Sequence, residues 1–317
     1  MDIKHLQALI GIADTGSFSA AADRLGTVQS NVSAHVARLE RELGGALVDR
    51  SGGRLTEEGE VVVARARRIV AELEAMVSDV FAMRREIRGT VRLGMIGTTS
   101  RWLVPILFDR LRRRHPEVCL TVADGTTSTL EPRLLSGQLD LVVVNMPVPG
   151  DELSASPLFE EDLVLVVPDG HPLAARHPAG LDAPPLPLSV LAGIDLLLPL
   201  PGTALRDEID ALVHQEGIVL RPSMELDGLR LIASLTFDGH GPAILPATAV
   251  PAHLRGQFRL LPLAGVPRRR VGVALRSRGL PSAPSRALID LLYAVVQDDA
   301  ERPEGVHPAI AARTRPR

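Results

Sequence analysis

Near the N-terminus, apolar positions recur at helical spacing in three short bursts. Leu6 and Leu9 mark the first, Ala20-Ala21-Ala22 the second, and Val32, Val36, Leu39 and Leu43 the third. Gly26 supplies a tight turn between the second and third helices, and Thr27 is placed to cap the third. Leu47 to Leu55, with Ser51-Gly52-Gly53 at its centre, predicts a two-stranded hairpin. From Glu58 to Arg88 the rhythm lengthens. Val62, Ala66, Ile69, Leu73, Met76, Val80, Met83 and Ile87 alternate steps of four and three, as in the seam of a coiled coil. No proline interrupts this stretch, and a helix of ~30 residues spans about 45 Å.

Gly89 and Thr90 open a different texture. Val91–Met95 reads as a strand, and an amphipathic helix runs through Leu103, Ile106, Leu107 and Leu111 to Arg114. Val118–Ala123 follows as a strand, Leu130–Ser136 as a helix and Leu139–Val144 as a third strand. That alternation predicts a parallel α/β sheet. Leu163–Val167 begins a second series, with a strand at Leu196–Leu198, helices at Leu205–Glu216 and Leu229–Leu235, and a strand at Ala243–Leu245. Val271–Leu275 and a helix over Ser285–Gln297 close it. From Asp298 onward the chain is polar and proline-containing, which predicts a disordered tail over 299–317.

Two short helices joined by a glycine turn, with a hairpin after them, describe a winged helix-turn-helix. The outer face of its second helix carries Gln29, Ser30, Asn31, Ser33, His35 and Arg38, side chains able to read base edges and hold phosphates. Together with Thr27, and with Arg50 and Arg54 flanking the wing tip, they form the candidate DNA-binding set. The segment resembles the N-terminal domain of bacterial LysR-type transcriptional regulators. The resemblance rests on Gly16-Ser17-Phe18, on Gln29-x-x-Val32-Ser33-x-x-Val36-x-x-Leu39-Glu40, on Glu42-Leu43-Gly44-x-x-Leu47, and on Arg50 with Leu55-Thr56-x-x-Gly59. Family members often carry a basic residue where this chain has Ala34, which bears on the operator bases and not on DNA binding itself.

The resemblance implies a linker helix that pairs two subunits, and a C-terminal two-lobed α/β effector domain resembling periplasmic binding proteins. The expected organisation is a head over 1–58, a linker over 59–88 and an effector domain over 89–298. Lobe I would hold 89–162 and 267–298, lobe II 163–266, with crossings near Glu161 and Val266. The expected partners are double-stranded DNA at an imperfect palindrome, a second copy of the chain in a homodimer or homotetramer, and RNA polymerase.

In open α/β sheets ligands bind beyond the carboxyl ends of the strands. Thr98-Thr99-Ser100, Thr127 and Asn145 follow the first three strands, and Pro201-Gly202-Thr203 follows Leu196–Leu198. By position, the family resemblance matches Thr98, Thr127 and Asn145 to effector contacts of the first lobe, and Pro201 to Thr203 to the second. Hydroxyls and free amides at helix N-termini suit a carboxylate-bearing or other polar small molecule; the bland alternative is helix capping.

Composition narrows the classes. Residues 1–58 hold six basic side chains (Lys4, Arg24, Arg38, Arg41, Arg50, Arg54) against eight acidic ones (Asp2, Asp14, Asp23, Glu40, Glu42, Asp49, Glu57, Glu58). Non-specific DNA affinity should therefore be modest and rest on a local basic face. The single cysteine, Cys119, excludes a disulfide within the chain and fits a reducing cytoplasm. It lies in an apolar strand and reads as a buried core residue. Arg268-Arg269-Arg270 reads as a solvated turn. No apolar run approaches the ~18 residues of a membrane helix, the nine histidines lack metal-site spacing, and no cofactor is implied. No nucleophile elbow, P-loop or dinucleotide fingerprint points to an enzyme. A solute-binding transport subunit would need an export signal, and an architectural DNA protein would need no ligand site.

Overall fold

The computed structural model describes residues 1–49, 53–178, 180–250 and 257–309. Three helices build the head: α1 (Ile3–Thr15), α2 (Phe18–Leu25) and α3 (Gln29–Leu43). Ser17 caps α2 by accepting from the Ala20 amide at 3.1 Å. The N-cap of α3 is Val28 rather than Thr27, and it makes no side-chain cap bond. The wing is a minimal hairpin, β1 (Val48–Asp49) against β2 (Arg54–Leu55). Leu6, Leu9, Ile12, Val32, Val36 and Leu39 close a single core between these pieces.

The long helix α4 covers Glu57–Met83, one turn shorter than its apolar repeat predicts. Arg85 takes a positive φ of 64°, and the Glu86 amide bonds back to Phe81 O. The chain must turn there to enter the sheet at Gly89. Thr56 starts α4 by accepting from the Gly59 amide at 3.0 Å while donating to Ala46 O at 2.7 Å. Glu57, Glu58 and Glu60 in the first turn suit the helix dipole.

Two mixed sheets follow. The six-stranded sheet has the order β13-β6-β12-β5-β3-β4. Its parallel part is β3 (Gly89–Ile96) between β4 (Val118–Gly125) and β5 (Leu141–Asn145). α5 (Gly97–Arg114) and α6 (Thr127–Leu135) connect these strands. β12 (Arg269–Arg276) runs antiparallel between β5 and β6 (Leu153–Glu161), and α10 (Ala283–Gln297) packs on this core.

The five-stranded sheet has the order β11-β7-β10-β8-β9. It comprises β7 (Leu163–Pro168), β8 (Asp195–Pro199), β9 (Arg221–Leu226), β10 (Ala243–Pro246) and β11 (Phe258–Pro262). α7 (Pro172–Arg176), α8 (Ala204–Gln215) and α9 (Leu229–Phe237) flank it. Neither sheet is purely parallel as expected, because the chain passes between them twice and returns in the opposite sense. Strands β6, β9 and β11 were not legible beforehand: Pro157 and Pro222 interrupt the first two, and β9 is exposed almost throughout.

The passages occur at Asp162 and between Pro262 and Arg269. Glu161 is fully buried there; its carboxylate accepts from the Thr248 hydroxyl at 2.7 Å and stands 3.6 Å from the Arg269 guanidinium. Burial pushes the Glu161 carboxyl above its ordinary pKa, with Arg269 opposing. Arg269 is thus not part of a solvated turn: β12 alternation turns it inward and leaves Arg268 and Arg270 outside.

Two further expectations are corrected. Cys119 is exposed, because β4 is an edge strand and Cys119 lies on its open side. The polar tail is folded through residue 309: β13 (Val306–Pro308) pairs antiparallel with β6 and buries Val306. Residues 310–317 of the predicted disordered tail lie outside the described residues.

The junction of α4 with the wing is tight. A β-carbon on Gly59 would stand 2.0 Å from Leu47 O. Gly59→Ala is expected to destabilise the protein by about 1–3 kcal/mol, measured by urea unfolding followed by circular dichroism; unchanged stability would mean the junction has slack.

Candidate functional site

The head presents its polar face because the other side of α3 is fixed in the core. With Val32, Val36 and Leu39 buried, Gln29, Ser30, Asn31 and Arg38 stand exposed and Ser33 is half-buried. Thr27 does its work one step removed: its Oγ1 accepts from Asn31 Nδ2 at 3.0 Å, fixing the amide that faces outward. His35 departs from expectation. Its ring is half-buried and tilted against His5 with centroids 5.3 Å apart, so it faces α1 and not the outer surface.

Arg38 Nε lies 3.5 Å from Glu42, which also pairs with the Met1 amino group. Arg54 is exposed on the wing, while Arg50 lies outside the described residues. Glu40 Oε1 accepts from the Leu47 and Val48 amides at 2.9 and 3.3 Å, which fixes the start of the wing relative to α3.

Along α4, one side is built into the chain and the other is bare. Val63, Ala66 and Arg67 are buried, whereas Ile69, Met76, Val80 and Met83, all members of the predicted seam, are exposed. Arg67 pairs with Asp14 of α1. Arg68 Nε donates to Leu135 O at the end of α6 at 2.9 Å. Further along, Glu74 meets Arg92 at 3.0 Å, and Asp79 accepts from the Ala283 amide at 2.8 Å.

A cavity of about 570 Å³ opens between α4 and the six-stranded sheet, beside Glu74, Arg92, Asp140 and Arg276. It lies at the amino ends of the strands, away from the edge predicted to bind ligand. Burial raises the Asp140 carboxyl, countered by the Arg92 amide and guanidinium.

The carboxyl ends of β4, β3 and β5 stand side by side and bring one set of predicted residues together. Thr98 and Thr99 fall in the first turn of α5, not before it, and are 4% and 0% exposed. Ser100 Oγ donates to Gly97 O at 2.9 Å and lies 3.4 Å from Asp124 Oδ1. Thr127 Oγ1 accepts from the Asn145 amide at 3.2 Å. The Thr99 hydroxyl and Asn145 Oδ1 are buried without a hydrogen-bond partner. Two unmatched polar atoms, one in the first turn of α5 and one at the end of β5, are costly unless something polar meets them.

Pro201, Gly202 and Thr203 stand separately, after β8 in the other sheet. Thr203 Oγ1 donates to Leu200 O at 2.8 Å, so in this structure it stabilises its own turn before α8. What joins the two sheets at the cleft is a pair the sequence did not reveal. Arg230, in the first turn of α9, reaches Asp124 at the end of β4, Nη2 to Oδ2 2.5 Å. Neither residue belongs to a local pattern; the pair exists only because α9 lies against α5.

Among the described residues no group of three or more His, Cys, Asp or Glu could hold a metal, and no helix is long and apolar enough to cross a membrane. Replacing the unpartnered Thr99 hydroxyl by a methyl group should leave ligand-free stability unchanged or raise it by up to about 1 kcal/mol. Urea unfolding of Thr99→Val tests this, and a loss greater than that amount would show the hydroxyl to be satisfied.

Known families match both the head and the paired-sheet domain. Residues 3–60 match the bacterial regulatory helix-turn-helix protein, lysR family, and residues 84–297 match the LysR substrate binding domain. A probable hydrogen peroxide-inducible genes activator of Mycobacterium leprae (strain TN) is 30% identical over 302 residues, covering 94% of this chain and 95% of the relative. The DNA-binding transcriptional dual regulator OxyR of Escherichia coli (strain K12) is 27% identical over 301 residues, covering 94% and 95%.

Among solved structures, a full-length OxyR from Pseudomonas aeruginosa with one cysteine replaced by aspartate superposes with a TM-score of 0.74. It is 27% identical, with 96% of this chain and 97% of that chain covered. The fold is shared with full-length CbnR in complex with its target DNA, at TM-score 0.65, 22% identity, and 93% and 99% coverage. A head, a linker helix and a paired-sheet domain, in the order and extent of these relatives, make this chain a member of the LysR family of DNA-binding transcriptional regulators.

Proposed function

We propose that this regulator acts as a homodimer, joined through α4, that binds an imperfect palindrome and responds to a small polar effector held between its two sheets. Its DNA-binding and effector-binding domains are those of its family; the specific assignments are inferred from this chain's own surfaces. The observation that carries the DNA assignment is the exposed row Gln29, Ser30 and Asn31 at the start of α3, beside Arg54 on the wing.

The row Ile69, Met76, Val80 and Met83 supports pairing of two α4 helices. Four large apolar side chains at seam spacing on one helix are an unusual surface for an isolated chain. The unmatched Thr99 and Asn145 atoms, with Thr127 between the same strand ends, support effector binding there. The N-terminal turn of α5 favours an anionic group such as a carboxylate, which Arg230, set against Asp124 there, can also meet. The working division is a head over 1–58, a linker over 59–88 and an effector domain from 89 onward.

The similarity to peroxide-inducible activators raises a second reading, sensing of hydrogen peroxide through thiols. Cys119 is the single cysteine. It lies on the exposed edge of β4, and a disulfide within the chain cannot form. An effector that binds without covalent chemistry therefore fits this chain better.

Footprinting on the DNA upstream of its own gene is expected to show a dyad-related protected site whose extent changes with one compound of a carboxylate panel. The DNA reading fails if that region and its neighbours stay unprotected at low salt. Within the site, Gln29→Ala should cost about 1–3 kcal/mol on the cognate sequence only. Arg54→Ala should weaken cognate and unrelated DNA alike and lower the salt slope by about one. Hydrogen peroxide should leave the footprint unchanged in the native protein and in Cys119→Ser; a peroxide response lost in that variant would restore the thiol reading.

A further inference from the structure

After α10 the chain does not leave the domain but folds back across the junction of the two sheets. On the side of the six-stranded sheet, Asp298 accepts from Arg110 at 2.6 Å, and Trp102 Nε1 donates to Glu301 O at 2.7 Å. The Val306 side chain enters the core, and the Ala309 amide donates to Leu158 O at 3.2 Å. On the other side, Glu304 Oε1 accepts from the amide of Leu181, a residue packed on the core of the five-stranded sheet, at 2.9 Å.

Between these anchors the segment meets both chain passages. The Asp162 amide donates to Gly305 O at 2.8 Å, and the Asp162 carboxylate lies 3.0 Å from His307 Nε2. Arg268, on the second passage, donates to the same carboxylate at 2.8 Å. Gly305 adopts φ +79°, and a β-carbon there would stand 2.6 Å from Leu181 and 3.0 Å from Ala247. The backbone is therefore pressed into the junction, at a point where only glycine fits without movement.

We infer that residues 298–309 are a strap that fixes the angle between the two sheets and so sets how far the effector cleft opens. Two polypeptide passages alone form a hinge, since few residues there need change φ and ψ to swing one lobe. Bonds from one continuous segment to both lobes and to both passages remove that freedom. Opening the cleft by rotation about Asp162 would stretch the Glu304–Leu181 bond or the Asp162–Gly305 and Asp162–His307 contacts. The consequence for regulation rests on the effector reading given above, but the restraint itself can be measured with no effector present.

The test is hydrogen exchange by mass spectrometry on the full-length protein and on the Glu304→Ala/His307→Ala double variant. Peptides covering 228–232 report the cleft mouth, where Asp124 meets Arg230, on a helix with no hydrogen bond to the strap. Peptides within β3 and β8 report the lobe cores. The strap predicts exchange at the cleft mouth faster by about tenfold, with the core strands unchanged.

Unchanged exchange at the cleft mouth would overturn the proposal, since the segment would then stabilise only its own surroundings. Equal acceleration of the core strands would also overturn it, by showing the tail to be part of the six-stranded sheet's stability. Glu304→Ala removes the bond to the second lobe and leaves His307 in place; should the double variant lose its folded far-ultraviolet spectrum, the same peptides are read in that single variant.

Discussion

Arg67 and Arg68 are neighbours on α4, yet they hold different parts of the molecule, and the relation of head to effector domain depends on that division. Successive helical residues point about 100° apart, so one guanidinium turns toward the head while the other turns toward the sheet. Arg67 is buried against Asp14, which also binds Arg24 at 2.7 Å, so one carboxylate gathers α1, α2 and α4. Its burial disfavours the charged form, and the Asp14 carboxylate opposes that cost. Arg68 instead grips a helix-terminal carbonyl, Leu135 O, which no amide within α6 can satisfy. Two adjacent residues thus bind the linker to the head on one side and to lobe I on the other, beside the Val63 and Ala66 packing in the head core and the Glu74–Arg92 and Asp79–Ala283 contacts with lobe I.

This arrangement gives α6 a place in any account of signalling. Its first turn lies at the cleft, where Thr127 bonds the Asn145 amide; its last carbonyl is held by Arg68. The helix is only nine residues long, with Pro132 inside it, so its two ends lie within about 13 Å of each other. The contacts supply a continuous physical connection, but connection alone is not coupling. An effector shifts the heads only if it binds one arrangement better than the other. The unpartnered Thr99 and Asn145 atoms identify where such a difference can arise, since a ligand that satisfies them gains most in the arrangement that aligns both.

Legibility in the sequence followed the range of the interactions. The head was readable because its determinants are local: Val32, Val36 and Leu39 at one helical spacing, and a wing closed within a few residues. The cleft edge was readable in part, since strand ends can be placed without knowing their neighbours. What failed required knowledge of partners. Val118 and Leu120 made Cys119 look buried, but the outermost position of β4 leaves the alternate side open. Arg268-Arg269-Arg270 looked like a solvated run until strand alternation carried Arg269 beneath the hinge to Glu161. The tail looked disordered because its composition is polar, yet it is held by backbone bonds, by the buried Val306, and by polar side chains such as Asp298, Glu304 and His307 whose partners lie far away in sequence. Composition does not register backbone bonding.

The same distinction separates fold from chemistry in comparing this chain with peroxide-inducible activators. Whole-length similarity reports a conserved scaffold, because the cores that define it are spread over the entire chain. Sensing chemistry resides in a few side chains, which can change while the scaffold persists. Here the features at the cleft are hydroxyls, the Asn145 side-chain amide, the N-terminal turn of α5 and the Asp124–Arg230 pair. These groups form and break hydrogen bonds and ion pairs; they do not transfer electrons. On the reading proposed above, a regulator built from them responds to a molecule that fits, and the closure such a molecule drives is bounded by the strap that holds the two sheets.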